Sequence, residues 1–241
     1  MNKSRNKYNN SFSKAYSTPS INNEVLIKPI LFKILGPLKN KKILEIGCGN
    51  GYWLRAFAKK GAKCIGIDAS FNQIKLAKEL SQGQGISFFQ ENGPHISRVR
   101  PNSIDTVLII KVLLEIKSKF VIKKIIKQAN LVLKKGGQLI ISDLHPCAPL
   151  AIPTVTPPKG FRYHNSGTVL KAISTTIDKK KVYFKDVHWT LQDITQLIDT
   201  DKFTINQILE PEATAKIIRK YPSLVSRKFC PMDIIFDCRK K

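Results

Sequence analysis

The stretch that most constrains this chain runs from Ile43 to Asp68, ILEIGCGNGYWLRAFAKKGAKCIGID. An apolar run, Ile43 to Ile46, breaks into a turn carrying Gly47, Gly49 and Gly51. Helical periodicity follows from about Tyr52 to Lys60, and a second apolar run, Cys64 to Ile67, ends on Asp68. The order is strand, turn, helix, strand, with an acid at the tip of the second strand. Glycines let a backbone approach a ligand where a Cβ would clash. Amides at a helix start offer hydrogen-bond donors and the positive end of a dipole. An acid at the second strand tip can accept from both hydroxyls of a ribose. The unit therefore suits a nucleoside.

Glycine spacing narrows the choice of nucleoside. A dinucleotide fingerprint reads G-x-G-x-x-G, but the position of its third glycine is Tyr52, and the chain reads G-x-G-x-G. With Glu45 ahead of the turn and Asp68 at the second strand tip, LEIGCGNG…GID resembles motif I of the class I S-adenosylmethionine (SAM) methyltransferases. Two other readings stand beside it: an ordinary βαβ turn of another α/β protein, and a dinucleotide oxidoreductase, which Tyr52 disfavours. The resemblance continues through SIDTVLIIKVLLEI, similar to motif IV, and NLVLKKGGQLIISDLHP. It covers about residues 40–145 with specific motifs and 188–240 with weaker ones, HWTLQD among them.

The resemblance implies an α/β, doubly wound Rossmann-like fold. Its seven-stranded, mostly parallel sheet has helices on both faces and an antiparallel last strand. It implies SAM as cofactor, S-adenosylhomocysteine as product and no metal. Carried onto this sequence, the cofactor residues are Glu45, Gly47, Cys48, Gly49, Gly51, Asp68 and Ala69. Asn92 and Gly93 follow at the end of the third strand, where a polar residue of the family commonly bonds the adenine amino group, and Glu91 is the rival for that role. Lys111 stands at the tip of the fourth strand, nearest the methyl donor. An unpaired buried ammonium is costly, so Lys111 is expected to reach solvent or a carboxylate.

Further elements follow from local pattern. Residues 21–35 read as an amphipathic helix, 71–81 as another, and 86–90 as a strand. A helix over 118–133 is expected to turn Phe120, Val121, Ile125, Leu131 and Val132 to the core, with Gly136 and Gly137 as its C-terminal cap. Residues 146–161 hold five prolines and form a connection. Residues 168–176 and 181–190 read as a hairpin. Thr190 to Asp193 approximates a capping box. The expected organisation is an N-terminal arm and helix over 1–36, serving as packing arm or as lid, and a methyltransferase domain over 37–241. Within it, 146–189 form a cap on the substrate side. Tyr8, Phe12 and Tyr16 share one helix face of the arm.

Bulk properties set limits. At 241 residues one domain with a full core is the default. No stretch of about 18 apolar residues occurs, so no transmembrane segment is expected, and the basic N-terminus lacks the apolar region of a secretory signal. Five cysteines without a C-x-x-C pair read as reduced thiols in a cytoplasmic protein. The net charge of +24 favours polyanions. Yet 33 of the 41 basic residues are Lys, and Asn and Ile are plentiful, a joint bias that AT-rich codons also produce. Nucleic-acid surfaces lean on Arg, so a nucleic-acid partner is not the favoured one. The run of lysines from Lys117 to Lys135 reads as a solvated helix face or as a phosphate patch.

The chemistry expected is methyl transfer to an oxygen or nitrogen of a small molecule. Alternatives are an RNA methyltransferase and a catalytically silent SAM-binding module. A phenol, alcohol or ammonium acceptor must lose a proton. His145, two residues beyond the fifth strand, is the leading candidate base, with a loop-anchoring role as its competitor, and His188 is the second. Tyr16, Tyr163 and His164 are candidate substrate contacts. His95 reads as structural, and Asp105, at the far end of the fourth strand, as a cap on a neighbouring turn.

Overall fold

The computed structural model describes residues 18–198 and 201–241. Tyr8, Phe12 and Tyr16 lie outside the described residues. A π-helical turn, Asn23–Ile27, leads into α1, Lys28–Leu35. The first half then alternates strand and helix: β1 Lys42–Ile46, α2 Tyr52–Ala58, β2 Lys63–Asp68, α3 Phe71–Leu80, β3 Ser87–Gln90, β4 Ile104–Ile110, a 3-10 turn Leu113–Glu115, α4 Lys119–Val132 and β5 Leu133–Leu144. The capping segment follows: α5 Ala148–Ala151, β6 Val155–Thr156, β7 Val169–Thr175 and β8 Lys181–Val187. The chain ends with α6 Leu191–Leu197, β9 Phe203–Leu209, α7 Ala215–Lys220, a 3-10 segment Pro222–Lys228 and β10 Asp233–Lys240.

The main sheet has seven strands in the order β3-β2-β1-β4-β5-β10-β9. All pairings are parallel except those of β10, which runs antiparallel to both β5 and β9. This is the expected doubly wound sheet with its antiparallel last strand. The expected hairpin is present too, and β6 joins it to make a separate three-stranded sheet, β6-β7-β8.

Both faces of the sheet are covered, which explains why β1 and β4 are mostly apolar on both faces. Leu44, Ile46, Val107 and Ile109 face Ile122, Ile125, Ile126 and Ala129 of α4. Ile43, Leu108 and Ile110 face the opposite layer, with Leu31 and Leu35 of α1, Leu54 and Phe57 of α2, and Ile74 of α3. Two details differ from the sequence pattern. In α4 the buried stripe is Ile122, Ile125, Ile126, Ala129 and Val132, while Phe120 is 65% and Leu131 48% exposed. The 3.6-residue period fits only one of the two apolar sets, and Phe120 is left outside under the Lys124 ammonium, 4.5 Å from its ring. Nor do Gly136 and Gly137 cap this helix. Leu133 turns to extended backbone and pairs with Ile104, ending the helix at Val132.

Position in this sheet decides what each residue can do. The carboxyl ends of β1, β2, β4 and β5 and the start of β10 form one edge, the crevice edge, where α/β folds bind ligands. The starts of β1, β2, β4, β5 and β9 and the end of β10 form the opposite, back edge.

Candidate active site

The glycine turn leaves β1 at the crevice edge with Gly47, Gly49 and Gly51 at φ of 76°, 52° and 76°. These are left-handed values that side chains rarely adopt. Gly47 and Cys48 donate their amides to Ile67 O at 2.8 and 3.0 Å, so the turn leans on the end of β2. A Cβ on Gly47 would stand 2.5 Å from Val112 Cγ2, and one on Gly51 2.6 Å from the Phe88 ring. On Gly49 it would meet nothing nearer than Gln73 Oε1 at 3.9 Å. The first and third glycines are thus closed in by neighbours, and the middle one borders open space.

Asp68 ties the turn to the second strand. Its Oδ2 accepts from the Gly49 amide at 2.9 Å and its Oδ1 from Ser70 N at 2.8 Å. Burial raises its carboxyl above the usual range, and the two amides pull it back. Cys48 is buried with its thiol pushed well up, by burial first and by Asp68 second. Its thiol is therefore no nucleophile, and its part in any site is its backbone. Ala69 is exposed, and its carbonyl accepts from Gln90.

Glu45 is 1% exposed on the Ile43 face of β1, and its Oε2 has no partner among the described residues. Burial first, then Asp68, raises its carboxyl well above the usual range, against a smaller pull from Arg55. Gln73, in the first turn of α3, is also 1% exposed, and both atoms of its amide lack partners among the described residues. The sequence reading missed Gln73. The available signal was a polar residue at a buried phase of an amphipathic helix.

At the end of β3, Glu91 is taken up by Ser97, whose amide donates to it at 3.3 Å, and by Arg98. Asn92 is exposed, with its carbonyl accepting from the His95 amide at 2.8 Å. A Cβ on Gly93 would meet Ile46 and Ile125 at 2.9 and 3.1 Å, so that glycine is set by packing.

Lys111 takes a left-handed conformation, φ 58°, and donates its amide to Ser142 O at 2.7 Å. For a residue with a Cβ this costs about 1 kcal/mol or more. Its ammonium forms an ion pair with Asp233 at the start of β10. This is the carboxylate partner expected for a buried lysine. Burial pulls the ammonium down in pKa, but Asp233 and Asp143 outweigh it, and the net shift is upward. The other Asp233 oxygen accepts from Asn22, which reaches in from the N-terminal segment. Asp143, at the end of β5, accepts from the Leu113 and Leu114 amides at 2.8 and 3.3 Å and holds the 3-10 turn over the β4 tip. Burial pushes its carboxyl up to about 6 although Lys111 opposes this.

The two candidate bases lie together. A small cavity of about 10 Å³ is bordered by Leu113, Asp143, His145, His188 and Trp189. Their surroundings differ. His145 Nε2 lies 2.7 Å from Glu210 Oε1 and its Nδ1 accepts from the Cys147 amide at 3.0 Å, so both nitrogens are occupied. His188 Nε2 lies 2.6 Å from the Tyr163 carbonyl. A carbonyl only accepts, which places the proton on Nε2 and the lone pair on Nδ1. Burial lowers the His188 pKa from the usual histidine value, against smaller upward pulls from the Tyr163 carbonyl and Asp193. Phe161 and Tyr163 pack edge-on against it, and the Tyr163 hydroxyl accepts from Leu191 N at 3.0 Å. His164 stays exposed on the cap, 5.3 Å from the Tyr163 ring.

The N-terminal segment crosses this edge. Ser20 bridges to Thr176 of the cap, Ile177 donates to Pro19 O at 3.0 Å, and Tyr52 donates its hydroxyl to Glu24.

The residues fit an adenosyl group. The turn has an open middle glycine, an acceptor carboxylate beside it, and two buried polar side chains, Glu45 and Gln73, with orphaned atoms. Sheet order and glycine turn together define the class I SAM-dependent methyltransferase fold. Residues 44–141 match the family model described as a methyltransferase domain. The matched stretch, less than half of the chain, holds the glycine turn and Asp68. A ubiquinone biosynthesis O-methyltransferase from Pseudomonas aeruginosa is 27% identical over 110 residues, 45% of this chain and 46% of that protein. This chain therefore spans under half the length of that relative. A tRNA U34 carboxymethyltransferase from Vibrio parahaemolyticus is 28% identical over 210 residues, 80% of this chain and 64% of that protein. Among solved structures, an S-adenosylmethionine-dependent methyltransferase from Mesorhizobium loti superposes with a TM-score of 0.67 at 19% identity, covering 88% of this chain and 96% of that one. Among the described residues no helix is long and apolar enough to cross a membrane.

Proposed function

We propose that this chain transfers the methyl group of SAM to an oxygen or nitrogen of a small-molecule acceptor. When bound, SAM supplies a methyl carbon already activated by its sulfonium. Gly47, Gly49 and Gly51 offer it backbone, Asp68 accepts from its ribose, and Ala69, Asn92 and Gly93 border its base. Glu45 and Cys48 support the turn from below. The protein's remaining task is to hold an acceptor in line, and positioning of that kind is worth ~7–11 kcal/mol in favourable cases. The observation that carries the reading is the glycine turn closed onto Asp68, with Gly49 left open beside the orphaned Gln73 amide.

The acceptor side is built by the cap over 146–189 and the arm ahead of residue 37. Lys111 serves there as a positioning residue, fixed by Asp233. In this reading His188 takes the acceptor's proton on Nδ1 and His145 anchors the loop, which reverses their order from the sequence. Tyr163 holds His188 through its backbone carbonyl, and His164 stands at the rim. A small acceptor is favoured by the cap, whose separate three-stranded sheet stands on the acceptor side of the crevice. The RNA reading draws support from the tRNA-modifying relative.

The test is incubation with methyl-labelled SAM and panels of phenols, amines and short RNAs, with S-adenosylhomocysteine release as readout. Label entering a small molecule supports the reading, and label entering RNA alone contradicts it. His188→Asn should lower kcat at least 100-fold with little change in SAH affinity. The acidic limb of the wild-type pH profile should fall below pH 6.5, the unperturbed histidine value.

A further inference from the structure

The back edge of the sheet carries a second feature that the methyl-transfer site does not use. Lys39 and Lys41 precede β1, Lys42 opens it, and Lys63 opens β2 directly opposite Lys42 in the parallel register. Lys134 and Lys135 stand beside β4, in the turn of β5 between Leu133 and Gln138, which pair with Ile104 and Thr106. Arg239 ends the row, paired with Gln138 on one side and Thr204 on the other, and Lys202 precedes β9. The sheet thus lines up one cation or more at almost every strand end between β2 and β9. The acids on this side among the described residues are Glu79 at the end of α3, Asp105, Asp201 and the buried Asp237, which Gln138 and Gln207 hold at 2.7 and 3.0 Å. Asp105 is already held by Lys134 at 2.5 Å and by the Lys42 amide at 2.8 Å.

A lysine-rich composition does not explain this arrangement. Codon bias places lysines on every exposed surface, and they do occur on α4 and on the cap hairpin. What is uneven is the acids. Asp68, Glu91, Glu115, Asp143, Asp186, Glu210 and Asp233 all lie toward the crevice edge, leaving the back edge with more cations than acids. Between Lys39, Lys41, Lys134, Lys135 and Arg239 runs a cleft of about 360 Å³, lined also by Gly136, Gly137 and the Lys134-paired Asp105. Gly136 has φ 70° and no atom within 4 Å of where a Cβ would stand, so the cleft is open there.

We propose that this edge is a docking face for the phosphodiester backbone of single-stranded nucleic acid, bound without base readout and separate from the methyl-transfer site. Strand ends lie about 4.8 Å apart, so the row is long enough to meet several successive phosphates. Lysine suits this role as a point charge, whereas base readout leans on the arginine fork. An anionic membrane is the weaker fit. A membrane-binding surface inserts apolar side chains among its cations, and the exposed apolar residues nearest this edge, Leu80 and Leu131, sit at helix ends rather than in the row.

The experiment is fluorescence anisotropy of a labelled oligouridylate of about 20 nucleotides, titrated with the full chain at several salt concentrations. With about five phosphates contacted, affinity should fall roughly 100-fold between 50 and 200 mM salt. The variant Lys39→Glu/Lys42→Glu/Lys63→Glu/Lys135→Glu should lose binding by at least 30-fold and keep wild-type SAH affinity. The same four positions changed to Gln should lose an intermediate amount, which covers the case in which charge reversal disturbs folding. Reversing four lysines of α4 instead, Lys117, Lys123, Lys124 and Lys127, should cost less than 5-fold. Failure to bind RNA at 50 mM salt, or equal loss from the α4 variant, overturns the proposal. So does tighter capture by phosphatidylglycerol vesicles than by RNA.

Discussion

The two edges of one sheet use charge in opposite ways. At the crevice edge, charges are buried and matched atom by atom. Lys111 meets Asp233, Asn22 meets the other Asp233 oxygen, Asp143 meets two backbone amides, and Asp68 meets two more. At the back edge the lysines are exposed and mostly uncompensated. Buried charges fix geometry, because a lost partner leaves a desolvated ion behind. Exposed charges fix almost no geometry but project a field into solvent. A substitution at the first edge should therefore change stability and cofactor binding. One at the second should change only what the surface attracts.

The largest expected effect is Lys111→Met. It strands the Asp233 carboxylate and should destabilise the fold by about 3–5 kcal/mol, read as a lowered denaturation midpoint in urea. The double variant Lys111→Met/Asp233→Leu should recover most of that loss. No recovery would mean that the pair is not what holds β4 to β10.

Acidity comes next. The Asp143 carboxyl is raised from 3.8 to about 6, so the folded state holds its proton more tightly than the unfolded state. Its contribution is full below the unfolded value and is lost as pH rises through about 6, a change worth roughly 3 kcal/mol by linkage. Asp193 works in the opposite direction. Lys119, Ser166 and Thr190 outweigh its burial and hold its carboxyl down at about 2, so its contribution disappears as pH falls from about 4 toward 2. Asp143→Asn should remove the decline between pH 4 and 6 and leave the acid limb in place. Urea melts across pH would measure both.

A smaller loss is expected at the turn. Gly51→Ala combines a left-handed backbone with a Cβ 2.6 Å from the Phe88 ring, and should cost about 2–4 kcal/mol unless Phe88 shifts. Adding Phe88→Leu should restore part of it. Smallest of all, the four-lysine reversal on the back edge should leave melting within about 0.5 kcal/mol of wild type, as exposed charges generally do.

Much of the crevice edge was legible because its signals are local. The turn, Asp68 and strands β1 and β4 are contiguous patterns. The partners were not legible, because they come from far along the chain. Lys111 and Asp233 are 122 residues apart, and His145 and Glu210 are 65 apart. Sequence reading could say that Lys111 needed a carboxylate but not which one. The same limit hides the partners of both His145 ring nitrogens. Nearness to a strand end is visible in sequence, whereas an occupied ring nitrogen is not. The charge of the back edge was not legible for a different reason. Composition counts lysines but does not show that the acids gather at the other end, and that needs strand order and direction.

The central claim is that the crevice edge, through the glycine turn and Asp68, binds an adenosyl cofactor. Calorimetric titration of S-adenosylhomocysteine into the wild-type chain and into Asp68→Ala tests it most directly. The account predicts one site per chain in the wild type. Losing the ribose acceptor should weaken affinity at least 10-fold, in line with about 1.5–3 kcal/mol for a charge-assisted hydrogen bond. The back-edge variant should bind like the wild type. No heat of binding with the wild type, or equal affinity in Asp68→Ala, would contradict it.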